Sequence, residues 1–329
     1  MEIEKLLRQS PPGIPGIDGR FYSEVLNGLS KPKKELPSKY FYDEKGSRLF
    51  DSICTLDEYY IPRLEAAIMS EYINEIVKLI GPEVYLLEYG SGNCQKARYL
   101  LNKMDRPVAY APIDISKKQL FEVSIKLQMD YPELEVLPVC ADYTLNFDLP
   151  VPQKTYRRKI VFFPGSTISN FDPIPAKLFL KNVAFVCGVG GGLVIGVDLK
   201  KEPGVLHKAY NDSNNITAAF NLNLLERINR ELHSNFDLNG FEHYAYYNPK
   251  ESRVEMHLVC LKNQMVYLGN NSVSFVKGDS IWTESSYKYN LEEFEQLAAT
   301  AGFRVEKVWV DDKQWFSVQY LVVTDLDSN

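Results

Sequence analysis

Histidine and cysteine are scarce in this 329-residue chain, with four of the first and five of the second. His207, His233, His243 and His257 lack the short paired spacing of a zinc site, and Cys54, Cys94, Cys140, Cys187 and Cys260 include no Cys-x-x-Cys pair, so no metal is expected. An odd number of scattered cysteines fits a reduced, cytoplasmic setting rather than a disulfide framework. The start, MEIEKLLRQSPPG, lacks the basic-then-apolar order of a signal peptide. The longest apolar run, Val183 to Val197, is broken by Gly188, Gly190, Gly191 and Gly192, so no membrane span is expected. Basic charge is not in excess: 37 Lys and Arg face 43 Asp and Glu, which argues against the positive field that a nucleic-acid partner needs. The short basic groups Lys31 to Lys34 and Arg157 to Lys159 read as solvated loop charge. No Gly-x-Ser-x-Gly elbow and no Gly-x-x-x-x-Gly-Lys-Ser/Thr loop occurs, which counts against serine-hydrolase and P-loop chemistry.

What is present is a soluble globular composition, 45% hydrophobic and 24% charged, with room for one large or two ordinary domains. Its sharpest local signal is LLEYGSGN, Leu86 to Asn93, an apolar strand ending in an acid and a Gly-x-Gly turn. Gly90 and Gly92 let backbone approach a ligand closely, and Glu88 is placed to accept hydrogen bonds from ribose hydroxyls or a cationic tail. The same glycines also suit a plain strand-to-helix turn. A nicotinamide dehydrogenase is the competing ligand reading, but Gln95 stands where the third glycine of the dinucleotide pattern belongs. Two more apolar segments end in acids, VAYAPIDIS at Asp114 and VLPVCAD at Asp142. In an open parallel sheet, acids at successive strand ends fall along the ligand-binding rim.

Strand-like and helix-like segments alternate from about Tyr60 to Leu199, the rhythm of βαβ units. KIVFFPG and GLVIGVDL supply the fourth and fifth strands, with a helix around Pro175 to Phe185 between them. After Lys200 the pattern changes to an amphipathic helix with Thr217 as a candidate N-cap, then to short antiparallel strands from Phe241 to Tyr289. A helix over Asn290 to Gly302 and two closely joined strands, Arg304 to Val310 and Phe316 to Thr324, predict a terminal antiparallel hairpin. The expected architecture is an α/β core over 60–199 and 290–329. A second α+β module over 1–59 and 200–289 accompanies it.

Beyond the strand-end acids, FFPGSTISNFDP offers amide and hydroxyl groups after the fourth strand. Asn170 there can serve a carboxylate or an amine through its two amide ends, or simply cap a helix ahead of Pro173. The clusters Phe41 to Arg63 and Ile281 to Lys288 mix aromatics with polar groups outside any clean period. Taken together, YDEKGSRLFDSICTLDEYY, LLEYGSGN, FPGSTISNFDP, AYNDSNNITAAFNLNLLERINREL, VEMHL and TESSYK resemble the histidine-specific N-alpha-methyltransferases of ergothioneine biosynthesis. The similarity runs from Tyr42 to the end of the chain.

That resemblance implies a class I S-adenosylmethionine methyltransferase core, Rossmann-like, with a mostly parallel seven-stranded sheet and an attached substrate-binding module. It implies three successive methyl transfers to the α-amino group of L-histidine, a small-molecule substrate, giving hercynine; a monomer is expected. S-adenosylmethionine would lie against Gly90, Lys96, Asp114 and Asp142, with Asp114 on the ribose and Asp142 near the adenine. Gly165 and Phe50 would border the reacting methyl and amine, with Tyr42 near the amino group. Tyr59, Asn170 and Tyr210 would hold the substrate carboxylate and Glu284 and Ser286 the imidazole, while Thr217 and Met256 line the pocket. Two positions depart from the family pattern: Ser169 replaces an expected glycine, and Asn93-Cys94 replace small hydroxyl residues. Related fungal enzymes methylate tryptophan-derived amines on the same scaffold, and the pairing of Met256 with Glu284 favours the histidine branch.

Overall fold

A computed structural model describes residues 18–324; expectations that fall on 1–17 or 325–329, the N-terminal MEIEKLLRQSPPG among them, lie outside it. The chain divides into two compact units, one from Met1–Tyr59 with Glu202–Ser286, the other from Tyr60–Lys201 with Tyr287–Asn329.

The second of these is built on an eight-stranded sheet. Its order is Phe303–Val310, Phe316–Val323, Gly192–Asp198, Arg158–Phe163, Val84–Tyr89, Ala109–Asp114 and Glu135–Val136, with Val139–Cys140 also pairing to Ala109–Asp114. The strands from Gly192–Asp198 onward run parallel, and Phe316–Val323 runs antiparallel to both of its neighbours. Val84–Tyr89 and Gly192–Asp198 are buried at every position, as unbroken apolar runs are in a parallel sheet covered on both faces. Phe179, Leu180, Val183 and Ala184 of the helix Pro173–Cys187 share a core with Leu87, Val161 and Leu193. The helix Ile61–Ile80 packs along Phe316–Val323 and Gly192–Asp198. From Val84–Tyr89 the chain proceeds outward to one edge, and from the adjacent Arg158–Phe163 toward the other. This reversal makes a switch point, and the crevice beyond the carboxyl ends of those two strands is where open α/β sheets take ligands.

Three sequence expectations need correction here. The segment ending at Asp142 is two two-residue strands rather than one, because Pro138 has no N–H to give to the ladder; this raises the strand count from seven to eight. Arg158 and Lys159 are not solvated loop charge. Arg158 Nε donates to Ile80 O at 2.9 Å, its Nη2 to Leu79 O at 2.7 Å, and Lys159 Nζ donates to Val186 O at 2.8 Å. Both cations thus satisfy orphan carbonyls at helix C-termini, where the helix dipole favours positive charge. Thr217 is not an N-cap. The helix Ile216–Leu232 starts after Asn215, whose φ is 56°, and Asp212 accepts the N–H of Ile216 and of Thr217, both at 2.8 Å.

The other unit centres on that helix. Phe41 stacks on its Phe220 with ring centroids 4.5 Å apart. A four-stranded sheet orders Lys34–Glu35, Ser280–Tyr287, Arg253–Cys260 and Phe241–Asn248, while Gln264–Leu268 and Asn271–Phe275 form a separate hairpin. Lys34–Glu35 pairs parallel to Ile281 and Trp282. A two-residue strand joined from 247 residues away has no periodicity to betray it, and so it was not legible in sequence.

Candidate active site

At the switch point the chain leaves Tyr89 through Gly90 with φ 68° and Gly92 with φ 50°, a left-handed turn suited to glycine. A Cβ built on Gly92 would meet nothing within 4 Å, so open space lies over the turn. Asp114 clamps this turn: its Oδ2 accepts Gly92 N–H and its Oδ1 accepts Ser116 N–H, each at 2.9 Å. Asp142 Oδ1 accepts Thr144 N–H at 3.0 Å, beyond the neighbouring strand.

Glu88 sits beneath this surface. Its side chain is buried and accepts the Tyr110 hydroxyl, and burial pushes its carboxyl up to about 8 against the opposing pulls of Tyr110 and Lys96. Between the ordinary 4.5 and about 8, the folded chain holds a proton there that the unfolded chain releases, so stability falls as pH rises through that window. Glu88→Gln is therefore expected to be more stable than wild type at pH 8 by about 1–3 kcal/mol, with the gap closing toward pH 5. Urea midpoints across that range check this, and a pH-independent gap would contradict it.

Lys96 and Gly165 come together on one carboxylate that the sequence reading passed over. Glu65, from the helix Ile61–Ile80, accepts Lys96 Nζ on Oε2 and Gly165 N–H on Oε1, both at 2.6 Å. Gly165 opens a loop in which Ser166 also adopts positive φ, at 57°. Ser166 Oγ pairs with Ser169 Oγ at 2.6 Å and accepts Asp198 N–H at 2.8 Å. The departure from glycine at Ser169 is thus absorbed, since its hydroxyl is buried but partnered. Asn170 ends the short 3₁₀ turn Thr167–Asn170, and Asp172 takes the N-cap position of the next helix; Asn170 is not the cap.

The same unit holds a further ionic cluster not foreseen in sequence. Asp198, fully buried, accepts the Tyr60 hydroxyl on both oxygens at 2.9 and 2.8 Å, Lys288 Nζ at 2.7 Å, and Lys201 Nζ. Burial alone would raise the Asp198 carboxyl, but the two ammonium groups hold it below the usual range; burial brings Lys201 down to about 8.

In the other unit, four of the eight remaining predicted residues, Tyr42, Phe50, Tyr59 and Tyr210, form one aromatic series. Ring centroids are 5.5 Å apart for Tyr42 and Phe50, 6.4 Å for Phe50 and Tyr59, and 6.2 Å for Tyr59 and Tyr210, all edge-on. Tyr210 Oη is 2.7 Å from Ser286 Oγ. Burial drives the Tyr59 phenol well above its ordinary value, with Tyr210, Cys54, Glu284 and Tyr42 adding negative field. Glu284 is therefore within electrostatic reach of Tyr59, and it lies two residues from Ser286, on the same face of their strand. Thr217 precedes Phe220 by three residues on one helix face, and Phe220 meets Tyr42 and Phe50 at 5.8 and 6.0 Å. Met256 is buried, and its carbonyl accepts Thr283 Oγ1 at 3.1 Å. Phe220 was missed because its helical spacing reads as ordinary core.

A family model described as histidine-specific methyltransferase, SAM-dependent, matches residues 21–323. The chain belongs to this family. A histidine N-alpha-methyltransferase of Mycolicibacterium smegmatis is 38% identical over 91% of this chain and 94% of its own length. A histidine N-alpha-methyltransferase of Mycobacterium tuberculosis is 36% identical over 88% and 90%. Ergothioneine biosynthesis protein 1 of Neurospora crassa is 28% identical over 86% of this chain, which spans 33% of that longer protein. The sheet order, with its antiparallel Phe316–Val323 strand between Phe303–Val310 and Gly192–Asp198, is that of a class I S-adenosylmethionine methyltransferase. Membership removes the dehydrogenase alternative that the Gly-x-Gly turn had left open. No helix among the described residues is long and apolar enough to cross a membrane, and no group of three or more His, Cys, Asp or Glu there is placed to hold a metal ion.

Proposed function

We propose that this chain transfers methyl groups from S-adenosylmethionine to the α-amino nitrogen of L-histidine, three in succession, to give hercynine, the first step of ergothioneine formation. The observation that carries this reading is the convergence of Tyr59, Tyr210, Ser286 and Glu284, two phenols, a hydroxyl and a carboxylate, in a chain that belongs to the histidine-specific family.

The rim of the core unit fits the methyl donor chemically. Asp114 and Asp142 are acceptors for ribose hydroxyls and an adenine amine, Lys96 is a cation for a carboxylate, and the space over Gly92 leaves the Gly90 turn accessible. S-adenosylmethionine, when bound, supplies a methyl group activated by its sulfonium. The remaining work is binding and alignment by this chain's own residues.

Tyr59, Tyr210 and Asn170 hold the histidine carboxylate in this reading, each hydrogen bond to the charged group being worth about 1.5–3 kcal/mol. A phenol has one proton to donate, so Tyr210 must turn from Ser286 to serve a carboxylate, which leaves the Ser286 hydroxyl available to the imidazole. Occupation of one end of the site thereby prepares the other. Glu284 accepts an imidazole N–H; a purely apolar ring in its place would strand the carboxylate at a cost of about 1–3 kcal/mol. Thr217 and Met256 line the ring pocket. Tyr42, Phe50 and Tyr59 surround the nitrogen as it gains methyls and a fixed charge, a cation–π environment worth about 0.5–2 kcal/mol that retains partly methylated product. Gly165 borders the transferred methyl, where a side chain would intrude. The five free cysteines fit a reducing cytoplasm, and a monomer is included in the proposal.

Incubating the purified protein with S-adenosylmethionine and an equimolar mixture of the common amino acids, followed by mass spectrometry, tests the reading. Histidine is expected to gain one, two and then three methyl increments. Methylation of tryptophan or another amino acid with histidine untouched would overturn the substrate. Binding of both ligands with no product would mark a sensor that has lost turnover.

A further inference from the structure

The Glu65 side chain is 4% exposed, yet it belongs to none of the motifs at the sheet rim. Its two oxygens face different groups, the Lys96 ammonium and the Gly165 backbone N–H, each at 2.6 Å. A Cβ on Gly165 would stand 3.0 Å from Lys96 Nζ, so the ammonium and this peptide are immediate neighbours. Room for the carboxylate is made by Gly196 on the adjoining strand, where an added Cβ would fall 2.3 Å from Glu65 Oε1 and 3.2 Å from Gly165 N. The Lys96 side chain is 40% exposed, so it joins the buried carboxylate to the rim of the sheet. Gly165 has φ 79°, in the left-handed region that glycine adopts without a Cβ penalty.

We propose that Glu65 is a positioning residue for the methyl-transfer reaction: one buried carboxylate fixes the Lys96 ammonium toward the donor's carboxylate and holds the Gly165 peptide beside the transferred methyl. The inference rests on the reading of Lys96 and Gly165 as donor-site residues. A carboxylate is required because only it accepts two donors on separate oxygens while neutralising the lysine on its buried side. Glutamine preserves the shape and the acceptor for Gly165 but offers Lys96 no counter-charge.

The test is calorimetric binding of S-adenosylhomocysteine to wild type, Glu65→Gln, Lys96→Met and the double variant, with Glu65→Asp as a second carboxylate variant and thermal unfolding of each. Lys96→Met and Glu65→Gln are each expected to weaken binding by about tenfold, and the double variant by little more than either alone, because both act through one ion pair. Glu65→Asp, which keeps the charge on a shorter arm, is expected to recover part of the loss. If Lys96→Met binds like wild type, the assignment of Lys96 fails and the role of Glu65 with it. If Lys96→Met is weakened while Glu65→Gln is not, or if the two losses add in full, the positioning role alone is overturned.

Discussion

Replacing Glu284 by alanine is expected to weaken L-histidine binding by about tenfold or more while S-adenosylhomocysteine affinity stays within about twofold. The reason is where the residue sits. Glu284 shares a strand face with Ser286, lies within electrostatic reach of Tyr59, and belongs to the unit that contains the aromatic series rather than the Gly90 turn. In the proposed reading, removing its carboxylate deletes a charge-assisted hydrogen bond to the imidazole N–H and also removes a group that penalises apolar rings. Discrimination against phenylalanine should therefore narrow along with the loss of histidine affinity. Competition binding with the two amino acids reads both effects. Equal weakening of amino acid and donor analogue would show that Glu284 supports the fold instead of reading the ring.

Replacing Asp198 by alanine is expected to cost about 3–5 kcal/mol of stability, the usual penalty for leaving buried charge uncompensated. The Lys201 and Lys288 ammonium groups are 1% and 0% exposed, and each loses its carboxylate partner in this variant. The cluster also has a topological meaning. The chain crosses between its two units after Tyr59, after Lys201 and after Ser286, and Tyr60, Lys201 and Lys288 each lie at or within two residues of a crossing. One carboxylate thus fastens all three crossings inside the core unit, close in sequence to the proposed substrate residues Tyr59 and Ser286. Adding Lys288→Met to Asp198→Ala should return part of the lost stability, since it removes one of the stranded charges. Denaturant midpoints measure both, and a loss below about 1 kcal/mol for Asp198→Ala would contradict the account.

What was legible in sequence follows the range of the interactions. Val84–Tyr89 and Gly192–Asp198 announced themselves because a strand buried on both faces is apolar along nearly all of its length. Gly90, Gly92 and Asp114 lie at the end of such strands, where local chemistry and position in the fold coincide. The residues that escaped act across long separations. Glu65 reaches Gly165 over 100 positions and Asp198 meets Tyr60 over 138; nothing near Glu65 marks it as different from a surface carboxylate, and Asp198 shows in sequence only as an acid ending an apolar strand. The same limit applies to Arg158, whose charge looked solvated because the helix terminus that it satisfies is 78 residues away. Glu88 shows a different limit: it stands where a ligand-binding acid belongs, but burial against Tyr110 decides its protonation, and burial is a property of the packed sheet.

The central claim is that one site grips an amino acid at both its carboxylate and its imidazole. Calorimetric titration of the protein, saturated with S-adenosylhomocysteine, with L-histidine, histamine and L-phenylalanine tests it most directly, because histamine lacks the carboxylate and phenylalanine the imidazole. Both analogues are expected to bind at least about tenfold more weakly than histidine, the loss of one or more charge-assisted hydrogen bonds. Binding of either analogue as tightly as histidine would contradict the claim.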